Sequence, residues 1–416
     1  MREKLALLGG APTKTTPTPD WPYYDDQEKQ ALMQVLDSRL WWRTPGSQTL
    51  AFEGEFAAYQ QASYGVAVTN GTAALEVAIA ALGIGPGDEV ILPDFTFIAT
   101  ASAVLAAGAM PVMVDCTPDT YCVDPALAEA HITPHTKAII AVHMAGHPAD
   151  LDALLGICRR HQLALIEDSA HAHGSEWKDR RIGAIGDVGT FSFQASKLLT
   201  AGEGGMILTN DSDLERRLRS IHDCGRMPGE WFYSHFVYGS NYRLSEWQGA
   251  VLRCQLRRVE GQRAVRSRNA AFMDGELLKI QGLTPQKEDP RCTCNGHYAY
   301  IFHYDRMAFN GLPIQRFIEA LNAEGVPTQA SYPPLHKLDV FQSGAFRKRL
   351  SGVQAEADFP FLRAEFPNTN RAAWETVWLP QPLLLGSLDD MQLVLDAIRK
   401  IQLNAGELLP APEGER

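Results

Sequence analysis

The most obvious absence in the sequence is a long uninterrupted run of apolar residues. The N-terminal run Leu5–Leu8 is too short for a signal-peptide core, and no stretch reaches the roughly 20 apolar residues that a membrane span needs. We therefore expect a cytoplasmic protein that has no membrane partner.

Positive charge is also scarce. Lys and Arg number 38 against 49 Asp and Glu, which gives a formal net charge of −11. Because no long Lys/Arg run is present, the sequence argues against nucleic acid as a partner. The composition, 45% hydrophobic and 21% charged, is that of a globular enzyme rather than a disordered chain.

Cysteines are few and odd in number. Seven of them are spread thinly over 416 residues, which fits a reducing cytosol better than a disulfide framework. Cys292 and Cys294 form a C-x-C pair, but the sequence has no second pair at zinc spacing, so we expect no metal site.

Short β-rich runs alternate with helix-like segments from about residue 66 to residue 210. The predicted strands are Glu89–Pro93, Pro111–Asp115, Lys137–His143, Leu163–Asp168, Thr190–Gln194 and Gly205–Asn210. The predicted helices between them are Ala73–Leu82, Ala99–Ala107, Pro125–Ala130 and Asp150–His161. This alternation predicts βαβ units and a mostly parallel sheet, whose ligands bind at the carboxyl ends of the strands.

The pattern of predicted helices and strands changes after about residue 276. Helices Leu214–His222 and Ser245–Val265 precede that point, and the strand Ala299–His303 and the helices Pro313–Glu324 and Leu388–Leu403 follow it. We expect three parts. Residues 1–275 form an N-terminal arm and a large α/β domain, residues 276–405 a smaller C-terminal α+β domain, and residues 406–416 a polar tail.

One lysine stands among small residues and glycines. Lys197 lies within Ser192–Gly205, which reads Ser-Phe-Gln-Ala-Ser-Lys-Leu-Leu-Thr-Ala-Gly-Glu-Gly-Gly. A partly desolvated lysine loses its proton readily and becomes a nucleophile toward carbonyls, and small neighbours leave room for a planar ring. The alternative is a surface lysine before a glycine turn, but the neighbouring motifs favour the nucleophile.

An acidic residue ends the predicted strand Leu163–Asp168. A carboxylate in that position can pair with a pyridinium nitrogen, keep it protonated and so make the ring an electron sink. His171, three residues beyond Asp168, is placed to hydrogen-bond the hydroxyl oxygen of such a ring. A helix-capping aspartate followed by packed histidines is the alternative interpretation.

A glycine turn supplies a candidate phosphate site. Gly71 and Thr72 lead into the predicted helix Ala73–Leu82, where free backbone N–H groups and the helix dipole attract anions. Phe97 follows another strand end. Its ring is suited either to lying flat on a cofactor or to packing in the core.

Together these motifs resemble the DegT–StrS family of sugar aminotransferases, within the fold type I architecture of aspartate aminotransferase. The motif Ser-x-x-x-Ser-Lys-x-Leu-Thr-x-Gly-Glu-Gly-Gly carries most of the resemblance, which covers nearly the whole chain. The resemblance implies an α/β fold with a mostly parallel seven-stranded sheet in the large domain. It also implies pyridoxal 5'-phosphate as the cofactor.

The resemblance implies roles for single residues. Lys197 matches the catalytic lysine that holds the cofactor as a Schiff base, Asp168 the partner of the pyridine nitrogen, and Phe97 the stacking aromatic. The residues that match phosphate ligands are Gly71, Thr72 and Ser192. Asn241 matches an asparagine that reaches the phosphate of the neighbouring subunit's cofactor, which implies a homodimer with shared active sites.

Other positions resemble different branches of the family. His171 stands where sugar-specific members usually have Gln, and with Trp41–Arg43 it resembles the 3-amino-5-hydroxybenzoate synthase branch. The stretches Gly229–His235, Ser331–Lys337 and Leu379–Gly386 resemble members that act on cyclitol and sugar ketones. The candidate substrate residues, each with packing or a surface position as its alternative, are Arg43, His235, Tyr332 and His336.

The resemblance therefore predicts transfer of an amino group from L-glutamate or L-glutamine to a keto-sugar or a keto-cyclitol of scyllo-inosose type. Aminosugar, aminoglycoside or related natural-product biosynthesis is the expected setting. A dehydrating, aromatising synthase of the aminohydroxybenzoate type and a non-catalytic regulator of the same fold are the alternatives. A pyridoxamine-dependent dehydratase is disfavoured, because those relatives lack the lysine that Lys197 matches. The sequence leaves the acceptor's identity open.

Overall fold

The computed structural model describes residues 3–227, 229–350 and 359–409. The strands, numbered in chain order, are β1 Tyr64–Val68, β2 Glu89–Pro93, β3 Met110–Val114, β4 Thr136–Val142, β5 Ala164–Asp168, β6 Glu176–Trp177, β7 Arg180–Arg181, β8 Val188–Ser192, β9 Gly205–Thr209, β10 Leu283–Pro285, β11 Cys292–Cys294, β12 Ala299–Tyr304 and β13 Thr376–Pro380. The helices are α1 Asp26–Ser38, α2 Gln48–Tyr59, α3 Gly71–Ala81, α4 Ala99–Ala106, α5 Pro125–Ala130, α6 Leu151–His161, α7 Ser212–His222, α8 Glu246–Leu277, α9 Ile314–Ala323, α10 Asp339–Gln342, α11 Pro367–Trp374 and α12 Leu388–Leu403.

A seven-stranded sheet in the order β1-β9-β8-β5-β4-β2-β3 forms the centre of the molecule. Strand β9 runs antiparallel to both of its neighbours, while the pairs from β8 through β5, β4 and β2 to β3 are parallel. The strands read as short apolar runs because nearly all of their residues are buried on both faces. The predicted α/β fold with a mostly parallel seven-stranded sheet is confirmed.

Several helices begin at a side chain that caps the free N–H groups of the first turn. Asn70 caps α3 by accepting a hydrogen bond from the backbone N–H of Ala73, and Asp150 caps α6 in the same way through Ala153. Helix α8 continues to Leu277, well past the predicted end at Val265, and it packs along α1 and α2. No helix in the described ranges combines the length and the apolar surface that crossing a bilayer requires.

A second core lies under a three-stranded antiparallel sheet made of β10, β12 and β13. It is closed by α9 and α12, and Leu5 from the N-terminal arm is buried in it. Helix α8 runs through residue 275, so the chain is continuous across the predicted domain boundary. The three-part division stays a prediction.

The predicted polar tail lies partly outside the described residues, which end at residue 409. Leu408, in the described part of that tail, packs into the second core.

A third, small sheet connects the C-terminal half of the chain to the segment that follows β5 of the seven-stranded sheet. Strand β11 pairs with β6, which pairs with β7, so residues 292–294 lie beside the segment that follows β5. This pairing brings the chain that follows β11 to the carboxyl edge of the large sheet.

Candidate active site

A cavity of about 900 Å³ opens at the carboxyl ends of β5 and β8 and at the N-terminus of α3. It lies at the sheet edge where parallel α/β folds bind ligands. Nine of the residues singled out from the sequence line it: Gly71, Thr72, Phe97, Asp168, His171, Ser192, Lys197, Asn241 and Tyr332.

Lys197 sits in a tight turn shortly after β8. Its backbone N–H donates to the carbonyl of Gln194 at 2.9 Å, and the small residues around it leave the side chain facing the cavity. Burial lowers the pKa of its amine from the usual 10.5 to about 8, and the charge of Asp168 acts in the opposite direction. The amine is therefore far easier to deprotonate than an exposed lysine.

Asp168 is the last residue of β5 and is 7% exposed. Burial raises the pKa of its carboxyl, while a hydrogen bond from Thr100 and the charge of Lys197 act to lower it. The Oγ1 of Thr100 donates to Oδ2 of Asp168 at 2.9 Å, and the hydroxyl of Thr96 lies 2.9 Å from that of Thr100. The carboxyl group is thus fixed in place by two threonines that follow β2.

His171 lies between two tyrosines. Its Nε2 is 3.1 Å from the hydroxyl oxygen of Tyr332, and its ring is stacked on that of Tyr298 with centroids 4.0 Å apart and an angle of 11° between the planes. Burial and the charge of Lys197 hold the pKa of His171 well below its usual value. The imidazole is therefore neutral, and Nδ1 has no hydrogen-bond partner among the described residues.

The start of α3 forms a cradle of backbone N–H groups. The first residues of a helix have no carbonyl partner within it, so the amides of Gly71 and Thr72 are suited to an anion. Gly71 is required by close packing, because a Cβ atom there would lie 2.7 Å from the Cβ of Ser192. The Ser192 hydroxyl thereby comes to the same end of the helix.

Phe97 and Asn241 lie at the open side of the cavity. The Phe97 side chain is 55% exposed, and its ring centroid is 5.9 Å from that of Tyr332. Asn241 is exposed and is anchored by a β-bridge to Asp223. An aromatic face is thus available to a flat ligand, and an amide group points to the protein surface.

Three of the four candidate substrate residues lie elsewhere in this chain. Arg43 forms an ion pair with the buried Glu53, with Nη2 and Oε2 2.8 Å apart. His336 is 2% exposed and its Nδ1 lies 2.6 Å from Oδ2 of Asp94. The exposed His235 bonds the carbonyl of Cys224. These three residues do not line the cavity, whereas Tyr332 does. Their contacts with substrate stay a prediction.

Several residues of the cavity were not predicted from the sequence, among them Thr100, Tyr298 and Glu76. Thr100 lies in the first turn of α4, Tyr298 precedes β12, and Glu76 faces the cavity from α3. Thr100 and Glu76 lie within four residues of positions that were singled out, so spacing offers a weak signal for both. Nothing in its local sequence marks Tyr298, since its place depends on the pairing of β11 with β6.

The chain is similar to known proteins along most of its length. The sequence model of the DegT/DnrJ/EryC1/StrS aminotransferase family matches residues 22–399. The chain belongs to this family. It is an aminotransferase, because the family and a relative that matches 97% of the chain carry that name.

Relatives within the family have two kinds of name. An L-glutamine:2-deoxy-scyllo-inosose aminotransferase from Streptoalloteichus tenebrarius is 40% identical over 419 residues, covering 97% of this chain and 99% of that protein. A 3-amino-5-hydroxybenzoate synthase from Amycolatopsis mediterranei is 38% identical over 392 residues, covering 92% of this chain and 97% of that protein. A crystal structure of 3-amino-5-hydroxybenzoic acid synthase superposes with a TM-score of 0.85 at 37% identity, covering 94% of this chain and 99% of that one.

Proposed function

We propose that this family member uses pyridoxal 5'-phosphate to move the amino group of L-glutamine onto a keto-cyclitol of scyllo-inosose type. The observation that supports it most is the convergence of Lys197, Asp168 and the start of α3 on one cavity. The relatives named for L-glutamine and scyllo-inosose supply the donor and acceptor classes.

The residues present fit this cofactor. The amides of Gly71 and Thr72 and the Ser192 hydroxyl would hold the phosphate, and the exposed face of Phe97 would lie on the ring. Asp168, whose buried carboxyl has only neutral hydrogen-bond donors around it, would take the protonated ring nitrogen as a cationic partner. The free Nδ1 of His171 would bond the ring hydroxyl.

When bound, the cofactor supplies a pyridine ring that withdraws electrons from the carbon bearing the amino group. Lys197 then has two duties. Its Nζ would hold the cofactor between reactions and, once released, would take the proton from the α-carbon of the donor and donate a proton again later in the half-reaction. A pKa lowered to about 8 suits both, because a larger share of the amine is then neutral near neutral pH than in an exposed lysine.

The charge of the cavity favours a neutral acceptor. Among the described residues that line it, Lys197 is the sole lysine or arginine, while Glu76, Asp168 and Glu203 are acidic. A nucleotide-linked sugar carries a diphosphate, and cationic side chains commonly strengthen the recognition of such a group. An uncharged polyhydroxylated ketone needs only hydrogen bonds, and the cavity offers these through Tyr332 and Tyr242.

A homodimer working in the cytoplasm completes the proposal. Large aromatic side chains near Asn241, among them Trp231, Tyr233 and Tyr238, are exposed in the single chain, which supports burial against a second copy. The seven cysteines are free thiols, which supports a reducing compartment.

The dehydrating synthase is the second candidate, and His171 favours it. The sequence at His171 resembles that branch, and the chain is similar in structure to a 3-amino-5-hydroxybenzoic acid synthase. Its product is an aromatic ring that absorbs ultraviolet light, whereas an amino-cyclitol does not.

The test supplies the purified protein with pyridoxal phosphate, 2-deoxy-scyllo-inosose and L-glutamine labelled with nitrogen-15 at the α-amino group. We expect the label in an amino-cyclitol detected by mass spectrometry. Lys197→Ala should keep the circular dichroism spectrum of the native fold and yield no product. An unlabelled cyclitol, an ultraviolet-absorbing product, or near-native turnover by Lys197→Ala would each overturn the proposal.

A further inference from the structure

Tyr298 touches two groups at the centre of the cavity. Its ring centroid is 4.4 Å from Nζ of Lys197, which lies over the ring, and 4.0 Å from the centroid of the His171 ring. The tyrosine is 8% exposed. One aromatic side chain therefore contacts both the amine and the imidazole that face the proposed cofactor.

The ring is held rigidly in this position. The Tyr298 backbone N–H donates to the carbonyl of Ala145 at 2.9 Å, and its hydroxyl lies 3.0 Å from Oγ of Ser196. Two residues earlier, the N–H of Gly296 donates to Oγ of Ser175 at 2.9 Å. These contacts reach the loops that follow β4, β5 and β8, so the segment that carries Tyr298 is bonded to the sheet edge on which Lys197 sits.

The contact with Lys197 has an electrostatic component. The face of an aromatic ring is electron-rich and attracts an ammonium group, most strongly where water is excluded. Burial disfavours the charged form of Lys197, and only Asp168 opposes that effect through its charge. The ring face of Tyr298 is a further, uncharged partner for the ammonium, and it also defines where the amine rests.

We propose that Tyr298 is a positioning residue that holds the free amine of Lys197 against its ring face, at the place from which Lys197 exchanges protons with the substrate. The inference rests on the proposed function for its place in the reaction. The contact itself belongs to the chain and is measurable without substrate.

The test measures the pKa of Lys197 in the full-length protein without cofactor, by competitive acetylation across a pH series and peptide mass spectrometry. Phenylalanine and its increasingly fluorinated analogues are placed at position 298, because fluorine removes electron density from the ring face while keeping its size. We expect Tyr298→Phe to keep the native pKa. Each added fluorine should lower the Lys197 pKa further, by about one unit in total, which is a tenfold change in the ratio of charged to neutral amine.

Tyr298→Leu removes the ring and should lower the pKa as far as full fluorination does. Tyr300→Leu is the matched control: Tyr300 is a buried tyrosine of β12 that bonds Asp274 and does not line the cavity, so its loss should leave the Lys197 pKa unchanged. In the cofactor-loaded protein, Tyr298→Leu should reduce the rate of the half-reaction with L-glutamine about tenfold with little change in KM. Tyr298→Phe should restore the rate.

A Lys197 pKa that stays the same across the fluorinated series would overturn the proposal. So would a Tyr298→Phe variant as impaired as Tyr298→Leu, because the hydroxyl bond to Ser196 and not the ring would then be responsible. If Tyr298→Leu fails to fold, the fluorinated series still decides. Failure of the proposed function can be told apart from failure of this inference. If only the proposed function is wrong, fluorination still changes the Lys197 pKa in the cofactor-free protein, but L-glutamine produces no half-reaction.

Discussion

Thr100 and Asp168 lie 68 residues apart in the chain and are joined by a buried hydrogen bond of 2.9 Å. Thr100 follows β2 and Asp168 ends β5, and strand β4 lies between these two in the sheet. Because the three strands are parallel, their carboxyl ends meet at one edge. The bond shows how the topology assembles the cavity from distant segments.

Thr100→Val tests the importance of this bond. The substitution keeps the shape of the side chain but removes the donor that lowers the Asp168 pKa, so the carboxylate form is lost more easily. We expect the rate of the half-reaction with L-glutamine to fall about tenfold, as for one buried hydrogen bond, and its pH dependence to shift upward. Thr100→Ser should keep both near native, and an unchanged pH profile for Thr100→Val would contradict this assignment.

The depressed pKa of Lys197 makes the stability of the cofactor-free protein depend on pH. The unfolded chain keeps the lysine protonated up to 10.5, whereas the folded protein releases this proton above about 8. The free energy of unfolding therefore increases as pH rises from about 8 to 10.5 and decreases as pH falls back through that window. The slope should be below about 1.4 kcal/mol per pH unit.

Urea unfolding of the native protein and of Lys197→Met across this pH range measures the effect. The difference between the two free energies of unfolding should grow in favour of the native protein as pH rises. A difference that stays flat would mean that the folded-state pKa is not depressed.

Glu53 is the central carboxylate of a buried ion network. Its Oε2 lies 2.8 Å from Nη2 of Arg43 and 3.0 Å from Nη1 of Arg219, and the N–H of Ala67 donates to its Oε1. Burial acts to raise its pKa, but the two arginines hold it below the usual value. Glu53→Gln should cost about 3–5 kcal/mol, because the largely buried guanidinium group of Arg43 loses its counter-charge and that of Arg219 is left with Glu215 alone.

The matched control is Glu55→Gln on the same helix. Glu55 pairs with Arg253 at the surface, with its side chain 41% exposed, so its loss should cost at most about 1 kcal/mol. Denaturant unfolding compares the two variants. Equal costs would contradict the buried ion network assigned to Glu53.

Much of the fold could be predicted from the sequence because the strands are covered on both faces. Runs such as Glu89–Pro93 are apolar after their first residue and bounded by turns, so their positions were predicted with small shifts at the ends. Strand β1 was missed because its partner β9 follows it by more than a hundred residues and pairs antiparallel. Helix α8 was predicted too short because its polar second half packs against the second core only in part.

The cavity was predictable where its residues share a local motif. Gly71 and Thr72 precede the predicted helix Ala73–Leu82, and Asp168 ends the predicted strand Leu163–Asp168, so backbone geometry alone directs them to one edge. The side-chain partners were not predictable: Tyr298 contacts Lys197, and Asp94 bonds His336, across long stretches of sequence. A single charged or aromatic residue does not reveal its partner, and contact of Arg43 and His336 with substrate stays a prediction.

The absorption spectrum of the purified protein, recorded with pyridoxal phosphate before and after addition of L-glutamine, is the decisive measurement of the proposed amino transfer. We expect a visible band from cofactor bound to Lys197, loss of that band on addition of L-glutamine, and its return with 2-deoxy-scyllo-inosose. A protein that develops no such band, or whose band no amino donor removes, would contradict it.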